Sequence, residues 1–303
     1  MPETPPRISV IVPAYNSGET ITACLKSIAA QTVTDFETVV INSSQEKRTL
    51  ALTQAALPSV RFEQSPNRLL PHAARNRGVE LARGDLLVFT DPDCVAAPDW
   101  LEQLLAAHER GHDLVVGAMD LIGSSLFELT VHLCKFAHWL PGGAEGPRRI
   151  APTANVLYTR TAWNAIGAFR GDSFSSDTLH SWRASSLGYV PWFEPKAVVS
   201  HVHGGSFRSF LHERRVRGKD FAQVRLVEEK HGTAWAATHL AALPAIPVME
   251  LGRNARSAAR AHWTPAFVKT APLQLAANAA WALGEAQAHA TRLSAPVSGV
   301  RRP

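Results

Sequence analysis

Apolar residues in the first 120 positions fall into short continuous runs, separated by segments with helical spacing. Ile8-Ser9-Val10-Ile11-Val12 predicts a buried strand closed by Pro13. Ser17 is placed to cap a helix whose apolar face is Ile21, Cys24 (or Leu25) and Ile28. Phe36 to Ile41 predicts a second strand and Val60 to Phe62 a short third. A helix from about His72 to Leu81 should stop near Gly84, followed by a strand over Leu86 to Thr90, with Asp113 to Gly117 continuing the sheet. Strands buried on both faces read as unbroken hydrophobic runs, and their alternation with helices argues for a parallel sheet covered on both sides.

Farther along, Leu140 to Pro152 is a glycine- and proline-rich loop. Structure resumes at Asn155-Val156-Leu157-Tyr158, then a short helix ending at Gly167, a helix through Leu179 and Trp182, and a strand Ala197 to Ser200 leading into His201. A basic helical stretch from Phe207 to Lys230 closes a first unit, residues 1–232, and residues 233–303 form an alanine-, leucine- and tryptophan-rich helical extension. Its apolar segments, Trp235 to Met249 and Thr270 to Gly284, are interrupted by His239, Pro244, Pro247, Gln274 and Asn278. Neither reaches the ~18 apolar residues of a spanning helix. They are expected to pack on protein or to lie on a membrane surface, where Arg253, Arg256, Arg260 and Lys269 would favour an anionic leaflet.

Composition narrows the class. With 46% hydrophobic and 19% charged residues among 303, global disorder is excluded. A net charge of +5 and a pI near 9.4 suit an anionic ligand, a nucleic acid or an anionic membrane face. The chain has neither an aromatic-interleaved basic strand nor a recognition-helix pattern, which argues against nucleic acid. Cys24, Cys94 and Cys134 have no metal-like spacing and favour a reducing compartment without disulfides. The polar, proline-rich start, Met1 to Arg7, does not read as a signal peptide. The expectation is a cytoplasmic protein whose C-terminal region packs on the first unit or rests on the cytoplasmic membrane face.

The candidate chemistry sits where Leu86 to Thr90 ends in Asp91-Pro92-Asp93. α/β sheets bind ligands beyond the carboxyl ends of their strands, and two hard oxygen donors there suit a divalent cation that also holds a phosphate. An isolated D-P-D reads better as a turn that favours Asp and Pro. Other segments bear on the choice: Val10-Ile11-Val12-Pro13-Ala14-Tyr15-Asn16, Ala73-Ala74-Arg75-Asn76, Pro98-Asp99-Trp100-Leu101, Tyr158-Thr159-Arg160 with Gly167-Ala168-Phe169, Ser176-Asp177, and Pro195-Lys196-Ala197-Val198-Val199-Ser200-His201. In this order, over Ile8 to Gly232, the chain resembles the family 2 glycosyltransferases of the GT-A fold.

The resemblance implies a mixed, mostly parallel α/β sheet flanked by helices, with the C-terminal helical extension appended. It implies inverting transfer of a sugar from a nucleotide-diphosphate donor, UDP-sugar by default, to a hydroxyl of a glycan or lipid-linked saccharide, with Mn²⁺ or Mg²⁺. By that resemblance Pro13, Ala14 and Tyr15 face the nucleotide, and Arg75 and Arg217 approach the diphosphate. Asp93 ligates the metal, Asp91 faces the ribose and the metal's water shell, and His201 is the third protein contact, with His203 as the alternative on the same strand face. Imidazole suits Mn²⁺ better than Mg²⁺. Asp177 is the general base, and it can also cap the helix that follows. The family's base-reading acid is replaced in Asn42-Ser43, which admits GDP- and dTDP-sugars, and the glutamate before the base is Ser176, which leaves the acceptor open. Two other readings compete. A nucleotidyltransferase needs a glycine-rich, Lys/Arg-bearing loop after the first strand, which Pro13 to Gly18 is not. A catalytically silent relative acting as a binding or assembly module is opposed by the presence of Asp91, Asp93, Asp177 and His201.

Overall fold

The computed structural model describes residues 5–46, 48–228 and 231–294. Met1 to Thr4, Lys230 and the last residues of the extension, 295–303, lie outside the described residues. In chain order the elements are β1 (Ile8–Ala14), α1 (Ile21–Ala29), β2 (Phe36–Asn42), α2 (Arg48–Ala56), β3 (Arg61–Gln64), α3 (Pro71–Leu81), β4 (Leu86–Thr90), β5 (Cys94–Ala96) and α4 (Trp100–Glu109). They continue with β6 (Leu114–Ile122), α5 (Leu126–Phe136), β7 (Gly146–Pro147), β8 (Asn155–Thr159), α6 (Arg160–Ile166), α7 (Ser176–Ser186), β9 (Trp192–Val202), α8 (Phe207–Glu228), α9 (Thr233–Ala242), α10 (Ile246–Arg260) and α11 (Thr264–Ser294).

The strands form one sheet in the order β3-β2-β1-β4-β8-β6-β9-β5, with β7 paired to β9. β3, β2, β1 and β4 are mutually parallel, whereas β8 runs antiparallel to both β4 and β6. This is the mixed, mostly parallel sheet that the sequence predicts. One face packs on α1, α2 and α4 through Ile21, Leu25, Leu52, Trp100 and Leu104. The other packs on α3, α6 and α7 through Ala74, Val79, Trp163, Ile166 and Ala184. The continuous apolar runs of β1, β2 and β4 are thus buried from both sides.

Two local expectations are corrected. Pro13 does not close β1, which runs on to Ala14; beyond Ile11 the strand has a partner on one side only, where a proline is tolerated. Ser17 does not cap α1 with its side chain. Its hydroxyl accepts from the Tyr15 N–H at 3.1 Å, its carbonyl receives the N–H groups of Thr20 and Ile21, and Thr20 is the cap residue.

A buried asparagine sets the middle of the sheet. Between Gly117 and Ala118 the β6–β9 register jumps from Glu194 to Val198, looping out the segment that begins at Pro195. Asn155 stitches the irregularity, its amide donating to the carbonyls of Ala118 and Ala197 at 2.8 Å each, while its oxygen accepts from Trp100 Nε1 at 2.8 Å. A Cβ on Gly117 would collide with Asn155 and the Ala197 carbonyl, so only glycine fits there.

The C-terminal helices pack back on this unit. α11 lies along α8, where Gly284 faces the Arg215 backbone and Gly218 faces the Trp281 backbone, each too close to admit a Cβ. Trp263, Ala266 and Phe267 cover Leu133, Ala137 and Leu140, and Ala277 packs with Val131 and Phe210. Among the described residues no helix is long and apolar enough to cross a membrane.

Candidate active site

The site begins where β4 ends. Asp91-Pro92-Asp93-Cys94 is a turn closed by the Cys94 N–H donating to the Asp91 carbonyl at 3.1 Å, with proline at the second position, where its fixed φ belongs. The buried Cys24 thiol donates to the same carbonyl at 3.4 Å, anchoring the turn to α1. Burial pushes the Cys24 and Cys94 thiols far above their usual range. β5 then pairs antiparallel with β9, opposing Cys94 to His201, and the Val202 N–H donates to the Asp93 carbonyl at 2.9 Å. This pairing puts Asp93 beside His201.

The two carboxylates have separate partners. Asp91 accepts from Arg75 Nη2 across to α3; the Arg75 side chain is 3% exposed and its Nε has no hydrogen-bond partner. Asp93 Oδ1 is buried without a hydrogen bond, 3.5 Å from His201 Nε2, while the rest of that carboxylate is open to solvent. Burial and the neighbouring Asp91 raise the Asp93 pKa against the pull of His201. The Asp93, His201 and Cys94 ligand atoms lie within 4.8 Å of one another. Of these, Asp93 and His201 supply one carboxylate and one imidazole, an oxygen–nitrogen pair that fits Mn²⁺. An orphaned buried oxygen facing an imidazole nitrogen is the arrangement that a cation would complete.

Behind His201 lies a histidine stack. His203 stacks on His201 with ring centroids 4.4 Å apart, and its Nε2 is 3.2 Å from His132 Nδ1. His132 Nε2 is 3.1 Å from the Met119 carbonyl, which can only accept. That assigns the proton to His132 Nε2 and makes His203 Nε2 the donor to His132. Burial drives His132 down to about 3 and His203 to about 2, so both are neutral. His203 Nε2 is therefore directed at His132.

Asp177 is the second residue of α7, at the positive end of the helix. It accepts from the Thr178 N–H at 2.7 Å. Burial raises its pKa, opposed by that hydrogen bond and by the charges of Arg217 and Arg75. Ser176 Oγ beside it is buried without a partner. The approach to Asp177 is clasped to α8, because Asp220 Oδ2 accepts from Ser173 Oγ, Ser175 N–H and Ser175 Oγ at 2.9, 2.9 and 2.7 Å. Arg217, one turn before, lies over the Phe174 ring at 5.1 Å and bonds Glu213 at 2.8 Å. Glu213 also pairs with Lys135 of α5 at 3.1 Å, and against its own burial those two cations hold its carboxyl below the usual range.

Lys135 also acts electrostatically on Asp93, and Arg217 on Asp177, so the charges of this Lys135–Glu213–Arg217 group are felt by both carboxylates. Sequence reading misses Lys135, Glu213, His132 and Asp220. The available signal was a lone lysine at the end of an apolar helix.

A family model described as Glycosyl transferase family 2 matches residues 9–176, more than half of the 303. The chain belongs to glycosyl transferase family 2. This glycosyltransferase is 26% identical over 236 residues to the glycosyltransferase AglE of Haloferax volcanii, covering 75% of its own length and 77% of that protein's. An uncharacterised glycosyltransferase, YfnE of Bacillus subtilis, is 37% identical over 114 residues, which are 36% of this chain and 29% of YfnE. The mannosyltransferase PcManGT from Pyrobaculum calidifontis, solved with GDP-Man and Mn²⁺, superposes with a TM-score of 0.59 over 91% of this chain and 87% of its own, at 22% identity. GalNAc-T7, solved with UDP, GalNAc and Mn²⁺, gives 0.59 at 16% identity over 78% and 51%. The fold of this glycosyltransferase is GT-A.

The remaining sequence-predicted residues are distributed unevenly. Tyr15, 43% exposed beyond β1, carries the Arg68 guanidinium over its ring at 4.5 Å. Pro13 and Ala14 end β1 behind it. Asn42 is fully buried, its amide donating to Gln64 Oε1 at 2.7 Å and its oxygen accepting from Ser44 Oγ at 2.9 Å. Ser43 Oγ donates to the Leu69 carbonyl at 3.4 Å. Both side chains are therefore engaged within the protein. Phe169 is held by Asn76, which bonds its N–H and its carbonyl at 3.0 and 2.8 Å, uniting the A-R-N helix with the Gly167-Ala168-Phe169 turn. Tyr158 lies fully in the core, and Arg160 donates to the carbonyls of Ala82 and Gly84 before β4 starts. That is the opposite end of β4 from Asp91, so Arg160 braces the sheet there, while Tyr158 packs edge-on to His180 of α7 within the electrostatic reach of Asp177 and Arg75.

Proposed function

We propose that this glycosyltransferase inverts configuration, depends on a divalent metal, and moves a sugar from a nucleotide-diphosphate donor to a hydroxyl of a glycan or lipid-linked saccharide. The observation that carries the reading is the pair of carboxylates leaving β4 in one turn, one bound to buried Arg75 and the other bare beside His201. Asp93 and His201, with Asp91 nearby, are the residues that would hold the ion, and when bound it supplies charge neutralisation for the departing diphosphate. Arg75, through its unpartnered Nε, and Arg217 add cationic charge on the protein side.

Asp177 takes the proton from the acceptor hydroxyl as that oxygen bonds to the anomeric carbon. The bond from that carbon to the diphosphate oxygen breaks, its electron pair leaves with the phosphate, and attack from the opposite face inverts the centre. A base must be deprotonated to act, and burial raises the Asp177 pKa, so the acid limb of the kcat profile should lie above the ordinary carboxylate range.

For the donor, UDP-sugar is the default, with GDP- and dTDP-sugars in the same assay because Asn42 and Ser43 offer the base no charged contact. NMR of the product formed with Mn²⁺ should show an anomeric configuration opposite to that of the donor; retention would overturn the mechanism.

Peripheral membrane contact belongs to the same proposal. It rests on exposed Val248 and Met249 of α10, on the helix that also carries Arg253 and Arg256. Membrane-bound protein in cell fractions should be released by high salt or alkaline carbonate. Protein retained in the pellet after carbonate, or never found with membranes, would refute it.

A further inference from the structure

The C-terminal helices hold a second cluster of ligating side chains, remote in sequence from every residue assigned to sugar transfer. His239 on α9 faces Glu285 and His289 on α11, which are four residues apart and so share one helix face. His239 Nε2 lies 3.0 Å from Glu285 Oε2, and the three ligand atoms fall within 4.8 Å of one another. We propose that His239, Glu285 and His289 form a transition-metal site that clips α9 to α11, with Zn²⁺ the ion best suited to its donors.

His289 decides between this and a simple His–Glu hydrogen bond. It is 1% exposed, and neither of its ring nitrogens has a hydrogen-bond partner among the described residues. A buried imidazole with two unmet nitrogens is costly, and native proteins rarely leave one so. The His239–Glu285 pair accounts for two of the residues and leaves the third unexplained; an ion bound by all three accounts for His289 as well. Two imidazoles and a carboxylate are a donor set typical of Zn²⁺. On binding, the ligand atoms, now within 4.8 Å of one another, would take up the ~3.4 Å edges of a tetrahedron with ~2.1 Å bonds.

The surroundings fit. Glu285 Oε1, the oxygen not facing His239, accepts from Trp281 Nε1 at 2.5 Å, the kind of outer hydrogen bond that fixes a ligating carboxylate. Trp235 stacks on His239 with centroids 4.7 Å apart, lies 5.6 Å from His289, and is itself covered by Arg225 at 4.8 Å. His239 and Glu285 also line a cavity of about 980 Å³ between the C-terminal helices and residues 137–150, which gives the ion a route in and room for a water at the fourth position. The role assigned is structural: the ion would fix α9, which forms part of that cavity's wall.

The test uses the untagged full chain with Asp93→Ala and His201→Ala, so that the strand-end site cannot bind the probe. After chelator treatment, calorimetric titration with Zn²⁺ alone should give one ion per chain and raise the melting temperature by a few degrees at a large excess over Kd. His289→Leu in that background should weaken binding at least a hundredfold, and His239→Gln, which keeps a polar partner for Glu285, should do the same. Co²⁺ in the background protein should give the intense visible bands of a four-coordinate site, a readout that does not depend on either further variant folding. Absence of stoichiometric Zn²⁺ binding, undiminished affinity in His289→Leu or His239→Gln, or the weak spectrum of a six-coordinate ion would each overturn the site.

Discussion

Asp177→Asn should lower kcat at least about a hundredfold, a loss of about 2.7 kcal/mol in transition-state stabilisation, and leave donor affinity within a few fold. Asparagine keeps the shape and the oxygen that receives the Thr178 N–H at 2.7 Å, so the start of α7 should remain intact. What it cannot do is take a proton from an incoming hydroxyl. Neither can it carry the negative charge that lies within the influence of Arg217 and Arg75. Steady-state kinetics with the donor varied, alongside calorimetric titration of the nucleotide, separate the two effects. Near-normal turnover would move the base elsewhere, and a parallel collapse of donor binding would make Asp177 a binding residue.

Asp93→Ala should abolish metal-dependent nucleotide binding, weakening it by two orders of magnitude or more when Mn²⁺ is present and changing it little when Mn²⁺ is absent. Asp93 Oδ1 makes no hydrogen bond, and the interaction lost with it is the 3.5 Å contact to His201, set against the burial that disfavours its charge. The melting temperature without metal should therefore stay within a few degrees of wild type. A residue whose loss cripples ligand binding and spares stability is retained for function, as expected where activity and stability conflict. Titration of UDP, GDP and dTDP with and without Mn²⁺ is the measurement. Wild-type affinity with unchanged metal dependence in Asp93→Ala would remove Asp93 from the site.

The parts of this protein that could be read from its sequence are those governed by local rules. β1, β2 and β4 announce themselves because a strand covered on both faces must be apolar throughout. α3 begins at Pro71 and ends before Gly84, close to the predicted limits, because proline suits a first helical turn. α2 went unseen: its nine residues carry few large apolar side chains, and what it buries includes Thr49 and Thr53. Asp91 and Asp93 stand out as charges ending an apolar run, but their partners do not. That Asp93 meets His201 depends on β5, three residues long, pairing with β9. That Arg75 reaches Asp91 depends on α3 packing across β1 and β2. The same holds for Lys135 with Glu213 and for Asp220 with Ser173 and Ser175, which are ordinary surface-type residues until the chain folds. Family resemblance supplied the register of His201; it could not supply the neutral histidine pair behind it.

The close seating of α11 against α8 bears on how this enzyme can be divided. Asp220 and Arg217, which reach the segment before Asp177, stand on the same helix whose Gly218 and Arg215 backbones are pressed against α11. At the other side Trp263 stacks on His132, two rings away from His201. The segment after residue 232 thus behaves less as an appendage than as a buttress, touching at once the supports of the Asp177 segment and of the His201 strand end. A chain cut back to residues 1–232 would carry every residue named in the chemistry and lack what holds two of its supports in place. Domain exchange between relatives should therefore graft α8 and α11 together or not at all.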